Sequence, residues 1–299
     1  TCSFNLDTYE WLAIIKNTTG SAEKWYWIDS LKGITKYWSS DSTAAYTTDS
    51  NVLTVSGTTF TLGSTLSAKN YLVEIHKAGL ASATAANEDG SINTTETSVN
   101  TTSGFAISKF TGTGSNATIG HGLSSKPEWI IHKDNGANQG TCYHVGAAAT
   151  KYLLINSTQV ATTNSSVWND TEPTSSLISM GTSAGVNNSA EMMSYSWHSS
   201  SIQSFGSYEG NGSTDGTFIN TGFYPNAAMV KNIDATNNWC LWDTAFKPDN
   251  GGGEFIYPDI TNIMSTTIYN DFVSNGMKHR TANAISNGAV TYIYMAWGG

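Results

Sequence analysis

Three stretches decide the fold: Glu10-Trp-Leu-Ala-Ile-Ile-Lys16, Glu128-Trp-Ile-Ile-His-Lys133 and Asn226-Ala-Ala-Met-Val-Lys231. Each is a short apolar run ending in lysine. After each come a polar turn and a second short run: Trp25-Tyr-Trp-Ile-Asp29, Thr141-Cys-Tyr-His-Val145 and Trp239-Cys-Leu-Trp-Asp243. Working outward, Pro127 and Pro225 precede the second and third copies. Ile119-Gly-His-Gly122 and Ile219-Asn-Thr-Gly222 precede those prolines. Phe110-Thr-Gly-Thr-Gly114 and Tyr208-Glu-Gly-Asn-Gly212 come earlier still. Downstream, Thr35-Lys-Tyr-Trp38 matches Thr150-Lys-Tyr-Leu153, and Phe60-Thr-Leu-Gly63 matches Ile178-Ser-Met-Gly181. Each copy closes on an alternating strand, with Tyr71, Val73 and Ile75, then Met193, Tyr195 and Trp197, then Ile293, Met295 and Trp297 as the inward set. Alternation with period two marks a strand with one buried face.

Elements recurring in one order, three times, are an internal repeat. Each full copy is about 95 residues with turn clusters every 8–12 residues, the spacing of an antiparallel sandwich. The expected fold is all-β, built of tandem repeated antiparallel β-sandwich modules of jelly-roll or lectin-like type. The expected division is 1–78, an incomplete first module; 79–103, an Ala/Thr/Ser/Asn-rich linker or surface excursion; 104–200, a second module; and 201–299, a third. Copy one lacks the opening strand that Phe105–Thr111 and Ser204–Tyr208 supply elsewhere. An unpaired strand edge invites a partner. The edge beside residues 10–16 is therefore expected to be filled by the 79–103 excursion, a neighbouring copy or upstream residues.

Composition narrows the function. The chain has 299 residues, 39% apolar and only 12% charged, with net charge −9. Arg280 is the single arginine among 14 basic residues, which argues against nucleic-acid binding. No apolar run approaches the length needed to span a bilayer. The chain begins at Thr1 without a signal-like segment, which reads as an upstream portion removed or not included. An uncharged, Asn/Ser/Thr-rich β chain suits secreted proteins and virion fibres.

The chain resembles repeat-containing virion proteins of marine bacteriophages, of the tail-fibre or structural type. The carrying residues are Ile28-Asp-Ser-Leu-Lys-Gly-Ile-Thr-Lys-Tyr37, Ser40-Asp-Ser-Thr-Ala-Ala45, Thr101-Thr-Ser-Gly-Phe105 leading to Phe110-Thr-Gly112, Phe205-Gly-Ser-Tyr-Glu-Gly-Asn-Gly212, Asp215-Gly216, Asn220-Thr-Gly-Phe223 and Tyr292-Ile-Tyr-Met-Ala296. The resemblance covers nearly the whole chain. It implies a bacteriophage virion structural protein, a tail-fibre or surface-appendage component located on the virion. Its partners would be other virion proteins, further copies of itself (a trimer) and host-surface glycans. It brings no catalytic residues. The alternatives are a secreted bacterial adhesin or lectin at the cell surface, and a glycan depolymerase.

No catalytic, metal or cofactor constellation stands out. Six histidines are scattered, no GxSxG occurs, and the three cysteines have no metal spacing. Asp29 and Asp243 recur in two copies, with Val145 in their place in the other. The Asp215-Gly216 and Asp249-Asn250-Gly251 loops lack EF-hand spacing and read as turns. Sugars are held by aromatic faces beside polar side chains. Trp38 and Trp168 fall outside the repeated core strands, so they are the candidate glycan-binding residues. Trp25, Trp129, Trp197, Trp239 and Trp297 stand at repeat positions and are expected in the core. So are Cys142 and Cys240, which align with each other and with Tyr26 and should be reduced.

Overall fold

The computed structural model describes residues 1–66, 69–246 and 253–298. Module one contains β1 (Tyr9–Asn17), β2 (Tyr26–Asp29), β3 (Lys36–Tyr37), β4 (Thr47–Thr48), β5 (Leu53–Ser56), β6 (Thr59–Leu62) and β7 (Tyr71–Leu80). Then follow β8 (Glu96–Asn100), β9 (Phe105–Thr111), β10 (Ala117–Gly120), β11 (Trp129–Asp134), β12 (Thr141–His144), β13 (Lys151–Leu154), β14 (Thr162–Thr163), β15 (Leu177–Met180) and β16 (Glu191–Trp197), with single-turn helices α1 (Ser165–Trp168) and α2 (Ala184–Asn187). Module three holds β17 (Gln203–Glu209), β18 (Phe218–Asn220), β19 (Ala227–Asn232), β20 (Cys240–Asp243), β21 (Asn270–Val273), β22 (Gly276–His279) and β23 (Thr291–Trp297). The fold is all-β and every named strand pair is antiparallel.

The main sheets run β2-β1-β7, then β14-β13-β12-β11-β16-β9-β8, then β17-β23-β19-β20. In each, the lysine-ending strand lies between the second strand and the closing strand. Lys16 is opposite Leu72, Lys133 opposite Met193 and Lys231 opposite Ile293. The small sheets also correspond: hairpin β5-β6, pair β10-β15 and trio β18-β22-β21.

Each main sheet buries two faces. One face covers its own module's core: Trp11, Ile15 and Tyr26 in module one, Ile130, Tyr143 and Trp168 in module two, Val230, Trp242 and Phe272 in module three. The other face enters a single core common to all three, holding Ile14, Trp27 and Trp38 with Trp129, Ile131 and Trp197 and with Met229, Leu241 and Met295. The modules are therefore not beads on a string.

Hydrogen bonds join each pair of modules around this shared core. The Trp25 indole of module one donates to the Tyr257 carbonyl of module three at 2.9 Å. The Trp239 indole of module three donates to the Leu154 carbonyl of module two at 3.0 Å. Module two returns to module one through the Tyr195 hydroxyl, which donates to Asp29 at 2.7 Å. Such head-to-tail contacts close when the rotation permits, and three modules close here within one chain.

The strand-end lysines show how the polar ends of these strands are buried. Lys231 is fully buried, and its ammonium donates to the carbonyls of Thr158 at 3.1 Å, Asn232 at 3.0 Å and Asn237 at 2.7 Å. Burial lowers its pKa to about 8. Lys16 likewise donates to the carbonyls of Glu23 and, in module three, Thr261. Replacing Lys231 with Met should strand three carbonyls while removing a desolvated charge. A net loss of about 2 kcal/mol is expected in denaturant titration, and an unchanged midpoint would count against this account.

Several expectations need correction. Within 79–103, β8 pairs along β9 (Val99 opposite Ala106) and extends module two's sheet, so this segment is not simply a linker. Its Thr and Ser side chains bond across that seam, Thr97 to Ser108 at 3.1 Å. The β1 strand has no open edge, because β2 and β7 of its own copy flank it. The open position lies one strand further out, beside β7. The copies also align one residue differently. Ile15, His132 and Val230, each just before its lysine, face Tyr26, Thr141 and Cys240. Cys142 therefore lies one step out of phase with Cys240. It faces the shared core, whereas Cys240 faces module three's own core. All three cysteines are free.

Candidate binding clefts

The tryptophans expected in the core are there, with one exception. Trp25, Trp129, Trp197 and Trp239 are at most 1% exposed, whereas Trp297 is half-buried at the mouth of a cleft. The candidate glycan residues Trp38 and Trp168 are each only 1% exposed. Trp168 sits in module two's own core against His132 at 5.3 Å and Tyr143 at 6.1 Å, with no face for a ligand. Trp38 lies between Trp27 at 4.8 Å and Tyr195 at 6.4 Å. It supports the wall of a cleft without offering a ring face. Trp38 reads as outlying because the shared core that recruits it has no sequence signature, and Trp168 because it is carried into module two's core by the single-turn helix α1 and not by a strand.

That cleft has a volume of about 460 Å³ and is lined by Glu23, Lys24, Tyr26, Tyr37, Trp38 and Asp41, among others. The rings of Tyr26 and Tyr37 are 4.9 Å apart. The Lys24 ammonium lies 5.4 Å from the Tyr37 centroid and donates to its hydroxyl at 3.4 Å. Thr261 of module three completes the wall. An equivalent cleft of about 380 Å³ lies on module two, lined by Asn138, Gln139, Thr141, Tyr152 and Asn164, with Thr43 of module one at its rim. Tyr152 occupies the repeat position of Tyr37, and Thr141 that of Tyr26. Both clefts thus sit where the second strand meets the next module in the ring.

A third cleft, about 770 Å³, lies where modules one and three meet, with Asn100, Ser103 and Phe105 of module two also in its wall, and is lined by Glu74, His76, Gln203, Asn226, Asp243 and Trp297, among others. The three junctions can be compared position by position. Asp29, His144 and Asp243 are equivalent, each four residues from its lysine in ladder register. Asp29 accepts from the Tyr195 hydroxyl, and His144 Nε2 lies 3.2 Å from the Tyr294 carbonyl. At the third junction Glu74 stands where Tyr195 stands in module two, so a second carboxyl accompanies Asp243. Burial, and then the charge of Asp243, raises Glu74 well above the ordinary carboxyl range. Burial raises Asp243 to about 6. Glu74 Oε1 and His76 Nε2 are buried without hydrogen-bond partners. His76 Nδ1 accepts from the Trp197 indole at 3.4 Å, and burial lowers the ring's pKa to about 4.

The Glu74–Asp243 juxtaposition is hidden in the sequence because the alternation of Tyr71, Val73 and Ile75 sets the closing strand of copy one a residue out of phase with its ladder. Had His76 been set against Trp197 and Trp297, Glu74 would have stood out as a carboxyl in an aromatic or apolar position. Among the described residues no group of three or more His, Cys, Asp or Glu side chains could hold a metal ion. The Asp215-Gly216 loop carries an ion pair from Lys278 to Asp215 at 2.8 Å, and Asp249-Asn250-Gly251 lies outside the described residues. Among the described residues no helix is long and apolar enough to cross a membrane.

The chain belongs to a family defined by a domain of unknown function, DUF7483, whose model matches residues 7–299. No curated protein and no solved structure matches it.

Proposed function

We propose that the chain is a non-enzymatic structural component of a bacteriophage virion, within a tail fibre or other surface appendage, and that it contacts host-surface glycans through the clefts beside Tyr37 and Tyr152. The observation that carries the glycan reading is the recurrence of one cleft in two modules, with aromatic rings beside carboxylate or carboxamide groups each time. Two equivalent clefts on one rigid body raise avidity without new contacts. The virion assignment rests on the sequence resemblance, and the low-charge exterior is compatible with it. In the appendage the chain works with other virion proteins and as a homo-oligomer, a trimer by that resemblance. A monomeric mass by light scattering, together with an absence of label on virions treated with antibody to this chain, would remove the assembly reading.

The glycan reading is tested on an array of bacterial surface polysaccharides. Tyr152→Ala, at the partly exposed ring, is expected to weaken binding roughly tenfold, the scale of one aromatic contact, while leaving the fold intact by circular dichroism. Tyr37 is 6% exposed and packed in module one's core, so Tyr37→Ala is expected to cost stability as well. Binding that ignores both Tyr37→Ala and Tyr152→Ala would place the contact elsewhere. Clearing of a polysaccharide lawn by the purified chain would overturn the non-enzymatic assignment.

A further inference from the structure

We infer that the outer edge of β7 accepts an extended strand from a partner polypeptide, completing module one's main sheet as β9 completes module two's and β17 completes module three's. The edge lines neither the Tyr37 nor the Tyr152 cleft, although Tyr71 at its start donates to Glu23 in the wall of the first at 2.7 Å, and the inference does not depend on glycan binding.

The argument begins with the comparison inside the chain. The closing strand β16 is flanked by β11 and β9, and β23 by β19 and β17. Their equal, β7, forms a ladder with β1 alone. On its other side only the end from Lys77 onward is met, by side chains of module two, with Ser98 Oγ accepting from the Gly79 N–H at 3.0 Å, so the open stretch is residues 71–76. In an antiparallel strand, alternate residues turn both backbone groups to the same side. The Lys77 carbonyl accepts from Asn100 Nδ2 at 3.2 Å, on the side of β7 away from β1. By that alternation Tyr71, Val73 and Ile75 also point their N–H and C=O groups outward, and no backbone partner among the described residues meets them there. The edge borders the 770 Å³ cleft, whose wall includes Val73, Glu74, Ile75, His76 and Lys77. Tyr71, Val73 and Ile75 are only partly exposed. A long edge with partly buried flanks is the kind of template that strand addition uses.

The completed sheets also specify the occupant. Opposite Trp197 and Trp297, the equals of His76, stand Phe105 and Gln203. Opposite Tyr195 and Met295, the equals of Glu74, stand Ile107 and Phe205. Opposite Met193 and Ile293, the equals of Leu72, stand Lys109 and Ser207. The partner strand is therefore alternating, and its row toward the shared core is apolar at the centre, as Ile107 and Phe205 are, with Phe105 or Gln203 and Lys109 or Ser207 on either side. It differs from β9 at one position. Where β9 carries Ile107, the incoming residue meets Glu74, whose Oε1 is unpartnered, with Asp243 beside it. A lysine there sets an ammonium against a carboxyl pair that neither of the other junctions contains.

The probe is the chain's own β9 sequence as a free heptapeptide, Phe-Ala-Ile-Ser-Lys-Phe-Thr, and the same peptide with Lys as its third residue. Each is titrated into the full chain at pH 7.5 by calorimetry. Both are expected to bind, the lysine peptide about tenfold more tightly, and Asp243→Asn is expected to erase most of that preference. N-methylation of alternate amides separates a backbone ladder from a side-chain groove. Methylation on one parity should abolish binding, and on the other it should leave binding within about threefold. No binding at millimolar peptide, or equal damage from both methylation patterns, overturns the inference. Equal affinity of the two peptides overturns the charge assignment. Glycan binding measured on the same samples is expected to be unchanged by saturating peptide, so failure of one reading leaves the other standing.

Discussion

Replacing Trp197 with alanine is expected to destabilise all three modules together and in one transition. Trp197 is fully buried in the shared core. Its ring stacks on Trp129 at 4.4 Å and packs on Phe105 at 4.8 Å, and His76 of module one approaches edge-on at 5.6 Å. Removing so large a ring costs about 3–5 kcal/mol, the transfer loss plus the unfilled cavity. Domains are stable by only about 5–15 kcal/mol in total. The loss should therefore appear as a large fall in the denaturant midpoint. The informative part is cooperativity. The cavity opens where Trp129 and Trp197 of module two meet His76 of module one and, through Trp129, Phe205 and Trp297 of module three at 6.3 and 5.8 Å. Far-ultraviolet dichroism and tryptophan fluorescence should then shift by the same amount and remain superimposable. Two separated transitions, with one module melting at its original midpoint, would show that the common core does not couple the modules.

That common core also marks the limit of what the sequence disclosed. The repeat was legible because strands carry their own signature. Alternation in Met193, Tyr195 and Trp197 and the recurring lysine are local features, and the ladders confirm the pairing of each lysine-ending strand with its closing strand. The all-β antiparallel class follows from them. What local pattern could not show was that both faces of the main sheets are buried. A strand such as Trp129–Asp134, buried at every residue, reads only as apolar. Whether its second face meets ligand, solvent or another module is a tertiary fact. For this reason Trp38 reads as lying outside the core, and the buried Asp29 and Asp243 read as recurring carboxylates without a setting. The phase of copy one's closing strand failed for a related reason. Tyr71, Val73 and Ile75 alternate well, but they face the module's own core, while Leu72 faces the shared one. With two buried faces, alternation gives the period of a strand without saying which residues face which core. The clefts are invisible for the same reason, since each is bounded by residues from more than one module.

Acid is expected to destabilise the chain from about pH 6.5 downward, because its histidines are held neutral. Burial lowers His76, His121 and His132 to about 4 and His144 and His279 to about 3. In the unfolded chain each titrates near 6.5. Between these values the unfolded state binds more protons, so this contribution is complete above pH 6.5 and is lost as pH falls toward 4 and then 3. The buried carboxyls oppose it. Asp29, Asp243 and Asp259 are raised to about 6 by burial, and Glu74 higher still, so in the same window the folded state gains protons at these four sites. The five histidines, each displaced at least as far as each aspartate, are joined by Glu23, Asp134 and Glu191. Partial burial raises these three, but lysine and hydrogen-bond partners outweigh it and hold them below the ordinary carboxyl range. Eight groups thus oppose four, and the net slope is loss of stability with acid. A single substitution separates the two contributions. The His132 ring is fully buried against Phe110 at 5.6 Å and Trp168 at 5.3 Å, with Nδ1 3.1 Å from the Val186 carbonyl and Nε2 unpartnered. His132→Phe keeps an aromatic ring in this apolar site and sacrifices one hydrogen bond, at a cost of about 1 kcal/mol near pH 7.5. It also removes a group whose neutral state costs about 3 kcal/mol to maintain at pH 4. The variant should therefore be slightly less stable than the parent at pH 7.5 and more stable at pH 4.5, with the two stability curves crossing between. Parallel curves across that range would mean that His132 is not held neutral in the folded chain.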